Sequence, residues 1–95
     1  MNNPQYMSGT GNNFLVSEYE NSKTDIEIIS IVADSLFDID GVIYVEKIDS
    51  LTVKMHYYNN DGSTAELCVN GIRCVAKYAL DNSIVDSSEV TVVAP

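Results

Sequence analysis

Residues 51–82 change period once, across a tight turn, and that change limits the folds open to the chain. Leu51, Val53, Met55 and Tyr57 alternate with Thr52, Lys54, His56 and Tyr58. That is the two-residue period of a half-buried strand. Asn60-Asp61-Gly62 is a strong turn signal. Beyond it Ile72, Val75, Ala76 and Ala79 fall on one helical face, with Arg73 and Lys77 off it. The helix should stop near Asp81 and Asn82. Ser63-Thr64-Ala65-Glu66 has the pattern of a capping box, which predicts a helical turn leading toward Cys68. Asn70 is placed to cap the main helix that follows.

The rest of the chain adds elements of both kinds. Gln5 to Met7 reads as a short strand, and Phe14-Leu15-Val16 as a second. Between them Ser8-Gly9-Thr10-Gly11-Asn12-Asn13 is a polar turn. A Gly-x-Gly loop can offer backbone N–H groups to an anion, although most such loops only connect hairpins. Thr24 and Glu27 fit a capping box. The helix they begin is expected over 25–36, with Ile29, Val32, Ala33, Leu36 and Phe37 as its apolar stripe. Asp38-Ile39-Asp40-Gly41 is a turn. Val42-Ile43-Tyr44-Val45 is a continuous apolar run that fits a well-buried strand. Residues 89–94 read as a last strand, and the chain stops at Pro95 just after it. The order β-β-α-β-β-α-β predicts an α+β domain with a mixed or antiparallel sheet. A stop directly after a strand predicts a sheet incomplete at its C-terminal side, with an exposed edge.

Charge narrows the partners. The 95 residues carry a formal net charge of −9, with five Lys and Arg in all. So few scattered cations cannot neutralise a phosphate track, which argues against nucleic acid. The acidity is spread along the chain and serves solubility. No apolar run is long enough to span a bilayer, and the first residues lack the blocks of a signal peptide. A cytoplasmic protein with no membrane partner is therefore expected. With two cysteines, one histidine and no C-x-x-C pair, neither a disulfide scaffold nor a structural zinc site is supported.

Cys68 and Cys74 differ in setting. Cys74 lies beside the apolar helical face and reads as a small buried hydrophobe. Cys68 falls where a helix should start, and unpaired N–H groups there lower a thiol's pKa. From the residues alone, a reactive base and a structural thiol remain equally open. The same helix start would supply the Val69 and Asn70 backbone N–H groups as a seat for a carboxylate. A thiolate beside such a seat suits either acyl transfer or removal of a proton next to the carboxylate. Acyl transfer wants a histidine near the cysteine. Only His56 exists, and it reads better as a satisfied strand histidine than as an acid or base. Proton abstraction needs a base and a means of stabilising the developing charge, and it has the edge.

The pattern Asn59-x-Asp61-Gly62-Ser63-x-x-x-x-Cys68-x-Asn70-Gly71-x-Arg73-Cys74 closely resembles the active-site signature of the diaminopimelate epimerases. Gly9-Thr10-Gly11-Asn12-Asn13-Phe14 is similar to that family's first substrate-binding loop, and Asp40-Gly41-Val42 fits between the two. The resemblance implies one domain of a two-domain isomerase of amino-acid biosynthesis, each domain a curled sheet around a helix. Residues 1–95 would be the N-terminal domain, cut short, with a C-terminal domain missing. It implies cofactor-independent conversion of LL-2,6-diaminopimelate to the meso form by two thiols, with no metal. Cys68 would be one catalytic thiol. Val69 and Asn70 would be backbone donors to the reacting carboxylate, and Asn12 and Asn59 would hold the far end of the substrate. The second thiol would lie outside these residues, so the chain alone should be inactive. Two alternatives stand beside this: a related cysteine racemase for another amino acid, and a binding domain that kept the fold without the chemistry.

Overall fold

The computed structural model describes residues 1–9, 11–64, 69–86 and 89–95. The order is β1 (Asn2–Gly9), β2 (Asn12–Glu18), α1 (Asp25–Asp34), β3 (Gly41–Asp49), β4 (Thr52–Asn59), α2 (Val69–Asp81) and β5 (Thr91–Val93). This is the expected succession of elements, with strand ends displaced by a few residues. The five strands form one mixed sheet in sequence order. The β1–β2 and β3–β4 pairs are antiparallel; β2–β3 and β4–β5 are parallel. Among the described residues no helix is long and apolar enough to cross a membrane.

A helix covers each face of the sheet. Phe14, Val16, Ile43, Val45, Val53, Met55 and Tyr57 point to one face and pack with Cys74, Val75, Tyr78 and Ala79 of α2. Leu15, Val42, Tyr44 and Tyr58 point to the other and pack with Ile28 of α1 and with Ile39. The two-residue period of the strands divides the core between the faces. Central β3 is buried on both, which is why its sequence from Val42 to Val45 is apolar without a break. Cys74 is buried among these side chains, as the helical spacing predicted.

α1 begins as expected and packs differently. Thr24 caps it: its Oγ1 accepts the Glu27 N–H at 3.2 Å, and the Glu27 carboxylate takes the Thr24 N–H at 3.4 Å. The helix ends at Asp34, and of the predicted stripe only Val32 packs against the core. Ile28 is fully buried, with Ile31 and Val32 packed around its cluster. Ile29, Leu36 and Phe37 are exposed, Leu36 by 83%. Ile26, Ile28, Ile29, Ile31 and Val32 surround the helix with apolar side chains, so periodicity alone cannot choose its inner face. The contact with Val42 and Tyr44 chooses it. Ile28→Ala should therefore cost about 3 kcal/mol, whereas Leu36→Ala should stay within about 0.5 kcal/mol. Urea unfolding of the two variants checks the assignment, and similar losses would contradict it.

His56 occupies the position of a satisfied strand residue. Its Nε2 lies 2.8 Å from Glu46 Oε1, and its ring stacks on Tyr19 at 4.2 Å. Strand pairing sets Tyr44 opposite His56, which brings Glu46, two residues along β3, within reach.

Candidate functional site

Four strand ends and one helix start meet at the same end of the sheet. β1 finishes there at Gly9, β2 starts at Asn12, β3 starts at Gly41 and β4 finishes at Asn59. Phe14 pairs with Gly41, and Gly41 with Asn59, so the first and third sequence motifs meet through β3. The β1–β2 connection passes through Gly11, at φ +80. That left-handed conformation suits glycine.

The hairpin and α2 are in close contact. Asn70 Nδ2 donates to Asn12 Oδ1 at 2.9 Å, across 58 positions of sequence. A Cβ on Gly9 would stand 2.7 Å from Asn70 Cβ, so only glycine allows this approach. Asn12 Nδ2 in turn lies 3.5 Å from Asp40 Oδ2, which also accepts the Asn13 N–H at 2.9 Å. Two backbone bonds continue the connection. Asp40 N donates to Asn13 O at 2.8 Å, and Asn60 N donates to Asp40 O at 3.1 Å.

The turn after β4 is built around Asp61. Gly62 N donates to Asn59 O at 2.9 Å, with Gly62 at φ +89. The Asp61 carboxylate accepts the Ser63 hydroxyl at 2.6 Å and the Ser63 N–H at 2.9 Å. Ser63 Oγ accepts Asn59 Nδ2 at 3.1 Å, and Thr64 forms an antiparallel bridge with Tyr58. The predicted capping box needs Glu66 and the helical turn toward Cys68 needs residues 65–68, which lie outside the described residues; among the described ones, the Ser63 hydroxyl donates to Asp61 and Thr64 pairs with Tyr58. The bonds from Ser63, its hydroxyl first, hold the Asp61 carboxyl below the usual carboxylate range. A lowered folded-state pKa adds stability above the unfolded value, near pH 4, and loses it as pH falls. The stability gap between the parent chain and Asp61→Asn should narrow from about pH 6 to about pH 3 in urea titrations. A constant gap would contradict the assignment.

The predicted site residues can now be placed. Asn12 and Asn70 are brought into direct contact. Asn59 lies at the same sheet end, half-buried, with its side-chain amide on Ser63. Val69 opens the described part of α2 with its side chain 62% exposed. Asn70 is within the helix, not before it, which corrects its predicted role as a cap. Cys68 lies outside the described residues. The first described turn of α2 carries no carboxylate that would oppose negative charge there. Asp40 is the residue the sequence reading left without a role. Its Asp-Gly-Val motif is visible in the sequence, but the partners of its side chain are 27 and 28 residues away. Among the described residues no group of three or more His, Cys, Asp or Glu side chains could hold a metal ion.

A family model described as diaminopimelate epimerase matches residues 5–95. The chain is 43% identical over 90 residues to a diaminopimelate epimerase of Agathobacter rectalis, an alignment covering 90% of this chain and 32% of that protein. It is 40% identical over 88 residues to one from Caldanaerobacter subterraneus subsp. tengcongensis, with 90% and 32% covered. It is 38% identical over 90 residues to one from Clostridium acetobutylicum, with 86% and 27% covered. The chain thus spans about a third of the length of the curated relatives it matches.

Proposed function

The chain belongs to the diaminopimelate epimerase family, and from that premise we propose that it supplies one half of the active site of a cofactor-independent epimerase. The substrate is LL-2,6-diaminopimelate and the product its meso isomer, within lysine biosynthesis in the cytoplasm. The remaining length seen in the relatives would supply the other half as a C-terminal domain. The observation that carries this reading is the bond between Asn70 and Asn12, which joins the two longest sequence motifs at one end of the sheet.

In this mechanism the Cys68 thiolate takes the proton from the α-carbon. The electron pair left behind spreads into the adjacent carboxylate, whose growing charge is met by the Val69 and Asn70 backbone N–H groups. A second thiol on the opposite face, outside these residues, delivers a proton and inverts the centre. Asn12 and Asn59 hold the distal end of the substrate. The thiol is favoured as a base by its place immediately before Val69, the first described residue of α2. With one thiol of the two, residues 1–95 alone give no turnover.

A cysteine racemase for a different amino acid is the second reading. The exposed Val69 side chain favours it, because an isopropyl group beside the thiol would crowd a bulky substrate. Alkylation of Cys68 against pH tests both against a binding domain without chemistry. The proposal expects a thiol titrating below the ordinary value of about 8.5, with buried Cys74 resistant. A Cys68 that resists alkylation or titrates normally would overturn it.

A further inference from the structure

We propose that Asp40 is a positioning residue for the reaction at this site. Its carboxylate sets the polarity of the Asp40–Asn12–Asn70 chain and thereby fixes which atoms the asparagine amides present. The functional consequence rests on the epimerase reading; the structural part does not.

A carboxylate only accepts hydrogen bonds, whereas an asparagine amide can turn either its NH2 or its carbonyl toward a neighbour. Asp40 Oδ2 is held in place by the Asn13 N–H at 2.9 Å. The side of Asn12 facing it, at 3.5 Å, must therefore be the NH2. The Asn12 carbonyl is then turned to Asn70, which must donate, and does so at 2.9 Å. One acceptor-only group thus orients two amides in succession.

Asp40 also links the three segments of the site. Its backbone joins Asn13 on the hairpin side and Asn60 on the side of the Asn59 turn. The hairpin in turn touches α2, where Gly9 has no room for a Cβ against Asn70. Asp40 itself is exposed and belongs to neither core cluster. Loss of its carboxylate should consequently disturb the site more than the fold. Asp40→Asn keeps the shape but adds a second group able to donate, and Asn12 loses the reason for its orientation.

The test has two arms. In the full-length protein acting on diaminopimelate, Asp40→Asn and Asn12→Ala should each lower kcat/KM about tenfold, and the double variant should lose no more than Asn12→Ala alone. Losses that multiply, or an Asp40→Asn enzyme within about twofold of the parent, would overturn the proposal. The second arm needs no substrate. In nitrogen-15 spectra of the full-length protein, Asp40→Asn should shift the side-chain NH2 signals of Asn12 and Asn70 and the Asn13 amide, with amides away from these residues, from Asn60 and from the substituted position unmoved. Unshifted asparagine signals would sink the proposal even if the substrate were a different amino acid. Shifted signals without diaminopimelate turnover would support Asp40 and count against the epimerase reading.

Discussion

Cys68→Ala should reduce epimerisation by the full-length protein by about 10³-fold or more, because removal of a positioned base costs general acid–base catalysis outright. Cys68→Ser should lose most of the rate as well, since a serine hydroxyl holds its proton far more tightly than a thiol. Cys74→Ala is the control. Cys74 is 5% exposed and packs with Val75, Tyr78 and Ala79, so its replacement should lower stability by about 1 kcal/mol and leave turnover within a few-fold. Initial rates for the three variants, each with its urea midpoint, check the assignment. A Cys74 variant as damaged in turnover as the Cys68 variant would show that the wrong thiol has been chosen.

Gly62→Ala should be the most destabilising small substitution in the turn that carries Asn59. Gly62 stands at φ +89, where a side chain is strained. It also abuts the start of α1: an added Cβ would lie 2.6 Å from both Cα and O of Asp25. Those are backbone atoms, and they cannot swing aside as a side-chain end would. The expected loss exceeds about 2 kcal/mol by urea unfolding. Gly11→Ala isolates the conformational part. Gly11 has φ +80 but nothing within 4 Å of the added carbon, so it should lose only about 1 kcal/mol. Equal losses at the two glycines would mean that the Asp25 contact does not constrain the turn. The site depends on that contact, because the turn holds Asn59 through Ser63 and Asp61.

The parts of this protein legible in its sequence are those set by local rules. The break between strand and helix around Asn60-Asp61-Gly62, the Thr24–Glu27 cap and the apolar run of β3 each depend on a few adjacent residues. Cys74 is legible because helical spacing from Ile72 puts Val75, Ala76 and Ala79 inside, and Cys74 sits beside that face. The misread parts depend on partners distant in sequence. α1 is apolar nearly all round, so only the shape of the sheet beneath it decides that Ile28 is buried and Ile29 is not. Asp40 could be seen as one residue of a short motif. Its role depends on Asn12, Asn13 and Asn60, which no periodicity connects to it.

The central claim is that Cys68 belongs to a site that removes and returns the α-proton of diaminopimelate. Incorporation of solvent deuterium into the LL and meso isomers by the full-length protein tests it most directly. The account predicts deuterium at the α-carbon from either isomer, with the signal lost in Cys68→Ala. Folded protein that incorporates none from either isomer would contradict it.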